Sequence, residues 1–273
     1  MRKIFLVGVM VLLGAGLARA DEPQQKFHGF NLQGYDDAGD KAWEVNGDTA
    51  DIVGSEIILS NVDANTFGEQ KMNVVAKTGV VDQVSGKMHL EKDVVVTSEE
   101  GQKLMTDSLD WHREKDLVVT EDEVMITGEK MTANGKGMKA NPGLKKATLN
   151  KDVTVVVDTE SEETGQAKTV TITSDGPMVI DQIKSIATFE VNVVAFQNDQ
   201  ILKGDRMEIY FDSEMNAIQK MICTGNVEIE QGENRSFAQK AEYVAATKKL
   251  TLSGRPKLIM QTEGGSLFAS SGD

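Results

Sequence analysis

The chain has 273 residues, with 43 Asp and Glu against 29 Lys and Arg, a formal net charge of −14, three His and one Cys. The acid excess argues against nucleic-acid binding, whose affinity comes from cations laid along phosphates; one Cys and three His exclude an internal disulfide, a cysteine-built zinc site and a His-rich catalytic metal centre. Apolar residues at 40% beside 26% charged residues describe a folded chain, long enough for a sizeable core.

Residues 1–20 read as an export signal. Arg2 and Lys3 precede the uncharged, largely apolar stretch from Ile4 to Leu17. Ala18-Arg19-Ala20 then supplies the small residues that signal peptidase accepts, ahead of the polar Asp21-Glu22-Pro23. The apolar stretch is shorter than the roughly 20 residues needed to cross a hydrocarbon core, so cleavage is expected rather than a retained short anchor. Cleavage removes Arg2, Lys3 and Arg19 and no acid, which takes the charge from −14 to −17. The mature chain is expected to be exported and soluble.

Asp36, Asp37 and Asp40 beside Gly34 and Gly39 read as a turn with exposed carboxylates. From about residue 43 the chain becomes a series of β-branched runs between Gly, Asn and Asp. They include Asp51-Ile52-Val53, Ile57-Ile58-Leu59, Val94-Val95-Val96, Leu117-Val118-Val119, the run Val153 to Val157, and Val170-Thr171-Ile172. Asp63 to Gly68 begins like a calcium loop, but Phe67 and Val74 stand where oxygen ligands are needed. An acidic or amide residue followed by Val recurs as Asp93-Val94, Glu123-Val124, Asp152-Val153, Asn192-Val193 and Asn226-Val227, and Pro256-Lys257 continues the series. The spacing predicts stacked β-units of three strands each, every unit burying its apolar face on its neighbours. Val227-Glu228-Ile229-Glu230 and Leu250-Thr251-Leu252-Ser253 alternate as strands with one buried face.

Asp158 to Ala167 is acidic and lacks apolar periodicity, as a linker or a long hairpin tip in a continuous sheet does. Phe237, Ala241, Val244 and Ala245 have helical spacing, but they occupy the first-strand position of a repeat and are read as a strand pair with a turn near Thr247-Lys248. The tail 264–273 is expected to be mobile.

Chemistry-bearing motifs are scarce. There is no Gly-x-Ser-x-Gly, no phosphate-cradling Gly-rich Lys loop and no His-Glu-x-x-His. His28, His89 and His112 share no partner spacing and are read as single surface histidines. Cys223, in Met221-Ile222-Cys223-Thr224-Gly225, reads as a buried strand residue. The acids fall mostly at strand ends and outward positions such as Glu228 and Glu230. No catalytic residue, metal ligand or cofactor is therefore assigned. A secreted carbohydrate-active or structural β-solenoid is the alternative to a binding role. What such a sheet does offer is an apolar interior and end strands with unpaired backbone groups.

Residues 30–157 resemble the periplasmic part of LptC-type proteins of lipopolysaccharide transport. The matching text includes Phe30-Asn31-Leu32-Gln33-Gly34-Tyr35-Asp36, Gly47-Asp48-Thr49-Ala50-Asp51-Ile52, Thr106-Asp107-Ser108-Leu109-Asp110-Trp111 and Leu149-Asn150-Lys151-Asp152-Val153. Residues 169–263 resemble the LptA/OstA-type repeat through Thr173-Ser174-Asp175-Gly176, Lys203-Gly204-Asp205-Arg206-Met207, Cys223-Thr224-Gly225-Asn226-Val227 and Ala241-Glu242-Tyr243. The resemblance implies an all-β fold, a twisted open β-jellyroll of stacked antiparallel repeats with two modules in series (21–157 and 168–263). It also implies a periplasmic role, lipopolysaccharide as ligand, an inner-membrane ABC transporter feeding it, and edge-strand pairing with other OstA-like bridge proteins or with itself. Under that reading the acyl chains meet Val94, Val96, Val124, Ile126, Val153, Val155, Val227 and Ile229. The partner edges are marked by Phe30 and Leu32 at one end and Leu250 and Leu252 at the other. A cleavable start departs from the membrane helix usual in LptC-like proteins.

Overall fold

Val, Ile and Thr crowd their own backbone at Cβ and sit best on a pleated surface, and in the computed structural model they extend into long strands. The structure describes residues 25–260 except 37, 68–70, 113, 114, 116, 142–144, 161–166 and 216. The expectations for residues 1–20 and 264–273 lie outside the described residues. The strands are β1 (Gln25–Tyr35), β2 (Lys41–Val53), β3 (Glu56–Thr66), β4 (Met72–Asp82), β5 (Lys87–Ser98), β6 (Lys103–His112), β7 (Leu117–Thr127), β8 (Met131–Ala140) and β9 (Lys146–Glu160). There follow β10 (Ala167–Ser174), β11 (Met178–Asp181), β12 (Ile186–Gln197), β13 (Gln200–Phe211), β14 (Ile218–Gln231), β15 (Asn234–Val244), β16 (Lys249–Ser253) and β17 (Lys257–Ile259).

All belong to one sheet. Each strand from β1 to β9 pairs antiparallel with the next. The same holds from β12 to β15. β10 and β11 share one position between β9 and β12, and β16 and β17 share the position beside β15, so the seventeen segments fill fifteen positions. Both shared positions are split by a proline, Pro177 and Pro256, which has no N–H for a ladder. The acidic stretch joins two paired strands: β9 and β10 run in register from Val153↔Ser174 to Glu160↔Ala167.

The Asp/Asn-Val series marks a bend at mid-strand. The pairing register shifts there on β5, β7, β9, β12 and β14. Lys92, Asp93, Asp152, Asn192 and Asn226 take positive φ, a conformation that Asp and Asn tolerate better than most residues. Cross-strand side chains hold the bends: Asn61 donates to Asp48 at 2.5 Å, Asn192 to Asp175 at 2.7 Å, and Asn226 to Asp205 at 3.0 Å. Asn61-Val62 belongs to the series, although sequence reading passed over it. The pair Gly47-Asp48 with Asn61-Val62 recurs as Gly204-Asp205 with Asn226-Val227. A Cβ on Gly204 would collide with the Cys223 side chain, which explains the glycine.

The bend corrects the expected three-strand unit. One period is two long strands, and runs such as Leu117 to Val119 and Val124 to Ile126 are two halves of β7. The extra residue of a bulge resets the alternation, so one strand looks like two in sequence. The helical spacing around Ala241 falls opposite such a bulge: Ala238 and Ala241 are both buried, three residues apart on β15 where the partner strand β14 carries the extra residue. A 3₁₀ turn over Ala245–Thr247, closed by left-handed Lys248, then leads into β16.

The valine after each bend is almost fully buried, with Val62, Val94, Val124, Val153, Val193 and Val227 at 0–2% exposure. The residue four before it is buried as well on most of these strands: Leu90, Thr120, Leu149, Phe189 and Cys223. Both halves of each strand thus contribute to one hydrophobic core. Among the described residues there is no α-helix, so the sheet itself must cover its apolar face. The mid-strand bend lets one half close over the other, as a twisted β-jellyroll.

Candidate ligand-binding interior and pairing edges

The eight inward positions expected from sequence lie on β5, β7, β9 and β14, all in the half-strands that follow the bend. Val94, Val96, Val124, Val153, Val155 and Val227 are buried in the core, and Ile126 and Ile229 are half-buried against it. They make one wall. The opposite wall, absent from the sequence expectation, is built from larger side chains: Leu90, Met138, Leu149, Phe189 and Met207, each at most 3% exposed. The signal was present as the apolar residue four before the Asp/Asn-Val valine, but strand parity alone does not carry across a bulge. Few polar groups reach the interior; Thr106 and Thr120 meet there at 3.4 Å.

Cys223 is buried at the start of the bend on β14. Burial pushes its thiol up to about 12, the nearby Asp205 carboxylate adding to the rise, and its Sγ lies 3.6 Å from the Lys203 carbonyl. A thiol held protonated in this way packs as an apolar side chain and is a poor nucleophile.

The outer face is charged and paired. Lys203 reaches Glu230 and Glu228, and Arg235 stands 3.7–3.8 Å from the same two carboxylates. Near the N-terminal edge Asn31 donates to Glu44 and to Asn46, each at 2.6 Å, and Asn73 to Asp63 at 2.7 Å. His89 departs from the expected lone surface histidine. Its Nε2 lies 3.0 Å from Glu91 and its Nδ1 2.7 Å from Asp110, its cross-strand neighbour. Hydrogen bonds to Glu91 and then Asp110 raise its pKa above the ordinary 6.5. The stability this pairing adds is therefore present below about pH 6.5 and lost as pH rises through the raised folded value. Because the group is partly exposed and screened, its worth is below about 1 kcal/mol. Thermal melts of His89→Gln and the parent from about pH 5.5 to 8.5 are expected to differ at the acid end and converge at the alkaline end; a gap independent of pH would refute the linkage.

The two edges differ. β1 pairs only with β2 among the described residues, with Phe30 packed against the core and Leu32 38% exposed. On the other edge Leu252 packs against the core and Leu250 is 47% exposed. The split between β16 and β17 leaves Ala238 and Gln239 of β15 without a ladder partner on either segment. A cleft of about 610 Å³ opens there, lined by Val227, Phe237, Ala238 and Arg255 among others.

Among the described residues no three His, Cys, Asp or Glu side chains are grouped to hold a metal ion, and no helix is long and apolar enough to cross a membrane. The fold and its interior define a class: an all-β jellyroll, apolar within, charged outside and open at both edges. The family model described as lipopolysaccharide-assembly, LptC-related, matches residues 17–158. That of the LptA/(LptD N-terminal domain) LPS transport protein matches residues 171–271. The first match spans more than half of the chain, which belongs to the LptC-related lipopolysaccharide-assembly family and carries an LptA-like module after the LptC-like one. No curated protein matches the chain.

Proposed function

We propose that the chain is a non-catalytic periplasmic bridge component. It holds lipopolysaccharide acyl chains inside the folded sheet and passes them from the first module to the second, toward the outer membrane. One observation carries the reading: the buried apolar face runs without interruption across both family matches, through the hydrogen-bonded junction of β9 with β10 and β11. Burying an acyl chain against such a wall is worth about 25 cal/mol per Å² of apolar surface removed from water. The wall residues offered to the chains are Val94, Val96, Val124, Ile126, Val153, Val155, Val227 and Ile229, with module boundaries near 157 and 168. The inner-membrane ABC transporter that feeds it, and cleavage after residue 20, belong to the same proposal.

The edges at Phe30 and Leu32 and at Leu250 and Leu252 are the docking strands for other bridge proteins or a second copy. With fifteen positions the first and last strands run in the same direction, so head-to-tail pairing is parallel and like-to-like pairing antiparallel. Charge favours unlike ends. Residues 234–260 hold Arg235, Lys240, Lys248, Lys249, Arg255 and Lys257 against Glu242 alone, whereas β1, β2 and the turn between them carry Asp36, Asp37, Asp40, Glu44, Asp48 and Asp51 against Lys26 and Lys41.

The test is a photocrosslinking residue at Ile126, half-buried on the inner wall, and another at Glu228, on the outer face. Labelling by lipopolysaccharide is expected at Ile126 and not at Glu228. Equal labelling, or no binding of lipopolysaccharide by the purified protein in detergent-free buffer, would overturn the reading.

A further inference from the structure

On the outer face of β1 to β4 the side chains form one hydrogen-bonded platform. Phe30, Val45, Ala64 and Val74 lie in the core or pack against it, so their neighbours along each strand point outward. These are Asn31 and Gln33 on β1, Asn46 on β2, Asn65 on β3 and Asn73 on β4, with the carboxylates of Glu44 and Asp63 among them. The pairing register lines them up in two rows, Asn31↔Asn46↔Asp63 and Gln33↔Glu44↔Asn65↔Asn73, whose members recur at the interstrand spacing of about 4.8 Å. Gln33 donates to Asn31 at 2.7 Å, Asn31 to Glu44 and to Asn46, and Asn73 to Asp63 at 2.7 Å and to Asn65 at 3.0 Å. Two aromatic rings stand on this face at the strand ends. Tyr35, 62% exposed, donates its hydroxyl to Gln33 at 3.0 Å. Phe67, 40% exposed, follows β3, and Lys41, ion-paired to Glu44, lies 5.0 Å from its ring centre.

The fold does not call for amides at these places. Counted from Gly47-Asp48 and Asn61-Val62, and from their recurrence as Gly204-Asp205 and Asn226-Val227, the second module holds Lys203 for Asn46, Glu230 for Asn65 and Arg235 for Asn73. On the strand before them Val194 and Phe196 stand where the first module has Asn31 and Gln33. The second set is closed by charge, with Lys203 and Arg235 both reaching Glu230. The first set keeps acceptors open: among the described residues Asp63 Oδ2 and Asn73 Oδ1 take no hydrogen bond. Equivalent positions of one repeat thus carry two different outer surfaces, and only the first is built from uncharged hydrogen-bonding groups beside exposed rings.

We propose that this platform binds the saccharide part of the ligand whose acyl chains lie in the interior, laid along the outer face of β1 to β4. This rests on the function proposed above. A sugar hydroxyl both donates and accepts. An Asn or Gln amide offers one group of each kind in a fixed plane, and a carboxylate accepts from two neighbouring hydroxyls. The rings of Tyr35 and Phe67 present flat apolar faces at a wet border, which suits the C–H face of a sugar ring. Glu44 is neutralised by Lys41, so recognition rests on hydrogen bonds, as uncharged sugars require. Because the platform side chains already hold one another, binding freezes few additional rotors. Tyr35 ends β1 and Phe67 follows the end of β3, so a saccharide joined to chains held inside meets the two rings first as it crosses that rim of the sheet.

The test compares the full chain with two variants. Asn46→Lys, Asn65→Glu, Asn73→Arg installs the ion-paired set that the second module carries at the same positions, and Tyr35→Ala, Phe67→Ala removes the two exposed rings. The probes for titration calorimetry are lipid-free oligosaccharide released from lipopolysaccharide, lipid A without its sugars, and chito-oligosaccharide as a foreign glycan. The parent is expected to bind the released oligosaccharide, and each variant to weaken that binding on the order of tenfold while leaving lipid A binding unchanged. Should the triple variant melt early, the aromatic pair, both exposed, still decides the matter. No binding of the released oligosaccharide by the parent, unchanged affinity in both variants, or chito-oligosaccharide bound as tightly would overturn the assignment. If the parent binds the oligosaccharide and not lipid A, the function proposed above fails; if it binds lipid A and not the oligosaccharide, only the platform assignment fails.

Discussion

Ile172→Asp is expected to uncouple the two halves of the chain as well as weaken them. Ile172 is 1% exposed on β10, between Val155 of β9 and Ala195 of β12, where the two family matches meet. A carboxylate placed there has no partner among these apolar neighbours. Leaving a charge buried and unpaired costs about 3–5 kcal/mol, or drives protonation at nearly similar cost. Since β9 pairs with both β10 and β11, and β12 with the same two, the parent sheet has no weak seam at this point. Calorimetry of the parent is expected to show one cooperative transition, and that of Ile172→Asp an earlier transition of the second half separated from the first. Two independent transitions in the parent would refute a continuous sheet.

Phe189→Ala is expected to destabilise the second half by about 3–5 kcal/mol. Phe189 is 2% exposed, the largest of the fully buried side chains, and sits between Met178 of β11 and Met207 of β13. Strands held in register on both sides have little freedom to collapse into the space left by the ring, so most of the cavity cost remains. Phe196, seven residues later on the same strand, is 38% exposed, and Phe196→Ala is expected to cost less than about 1 kcal/mol. Denaturant midpoints of the two variants measure the contrast. Equal losses would mean that the face assignment across the bend of β12 is wrong.

Strand parity did not assign the wall holding Phe189, and the reason is local. Val94, Val124, Val153 and Val227 follow a visible Asp, Glu or Asn, and short-range alternation extends from each of them to Val96, Ile126, Val155 and Ile229. Going the other way along the strand, the bulge adds a residue and the alternation changes phase, so Leu90 or Phe189 falls on an unassigned face. His89 illustrates a second limit. Glu91 is visible two residues away, but Asp110 becomes its neighbour only because β5 and β6 pair at that register.

By itself the sequence determined the β class, the apolar alternation of each half-strand, the Asp/Asn-Val punctuation and the likeness to two transport modules, because each depends on residues within a few positions of one another. Only the tertiary structure decided that the punctuation is a bend rather than a turn, and that β10 with β11 and β16 with β17 each complete a single position. It also decided that the acidic stretch joins paired strands. These depend on which strand lies beside which, and at what register. Backbone hydrogen bonding is nearly indifferent to side-chain identity, so that choice rests on burial summed over the whole sheet, a quantity that no short stretch of sequence contains.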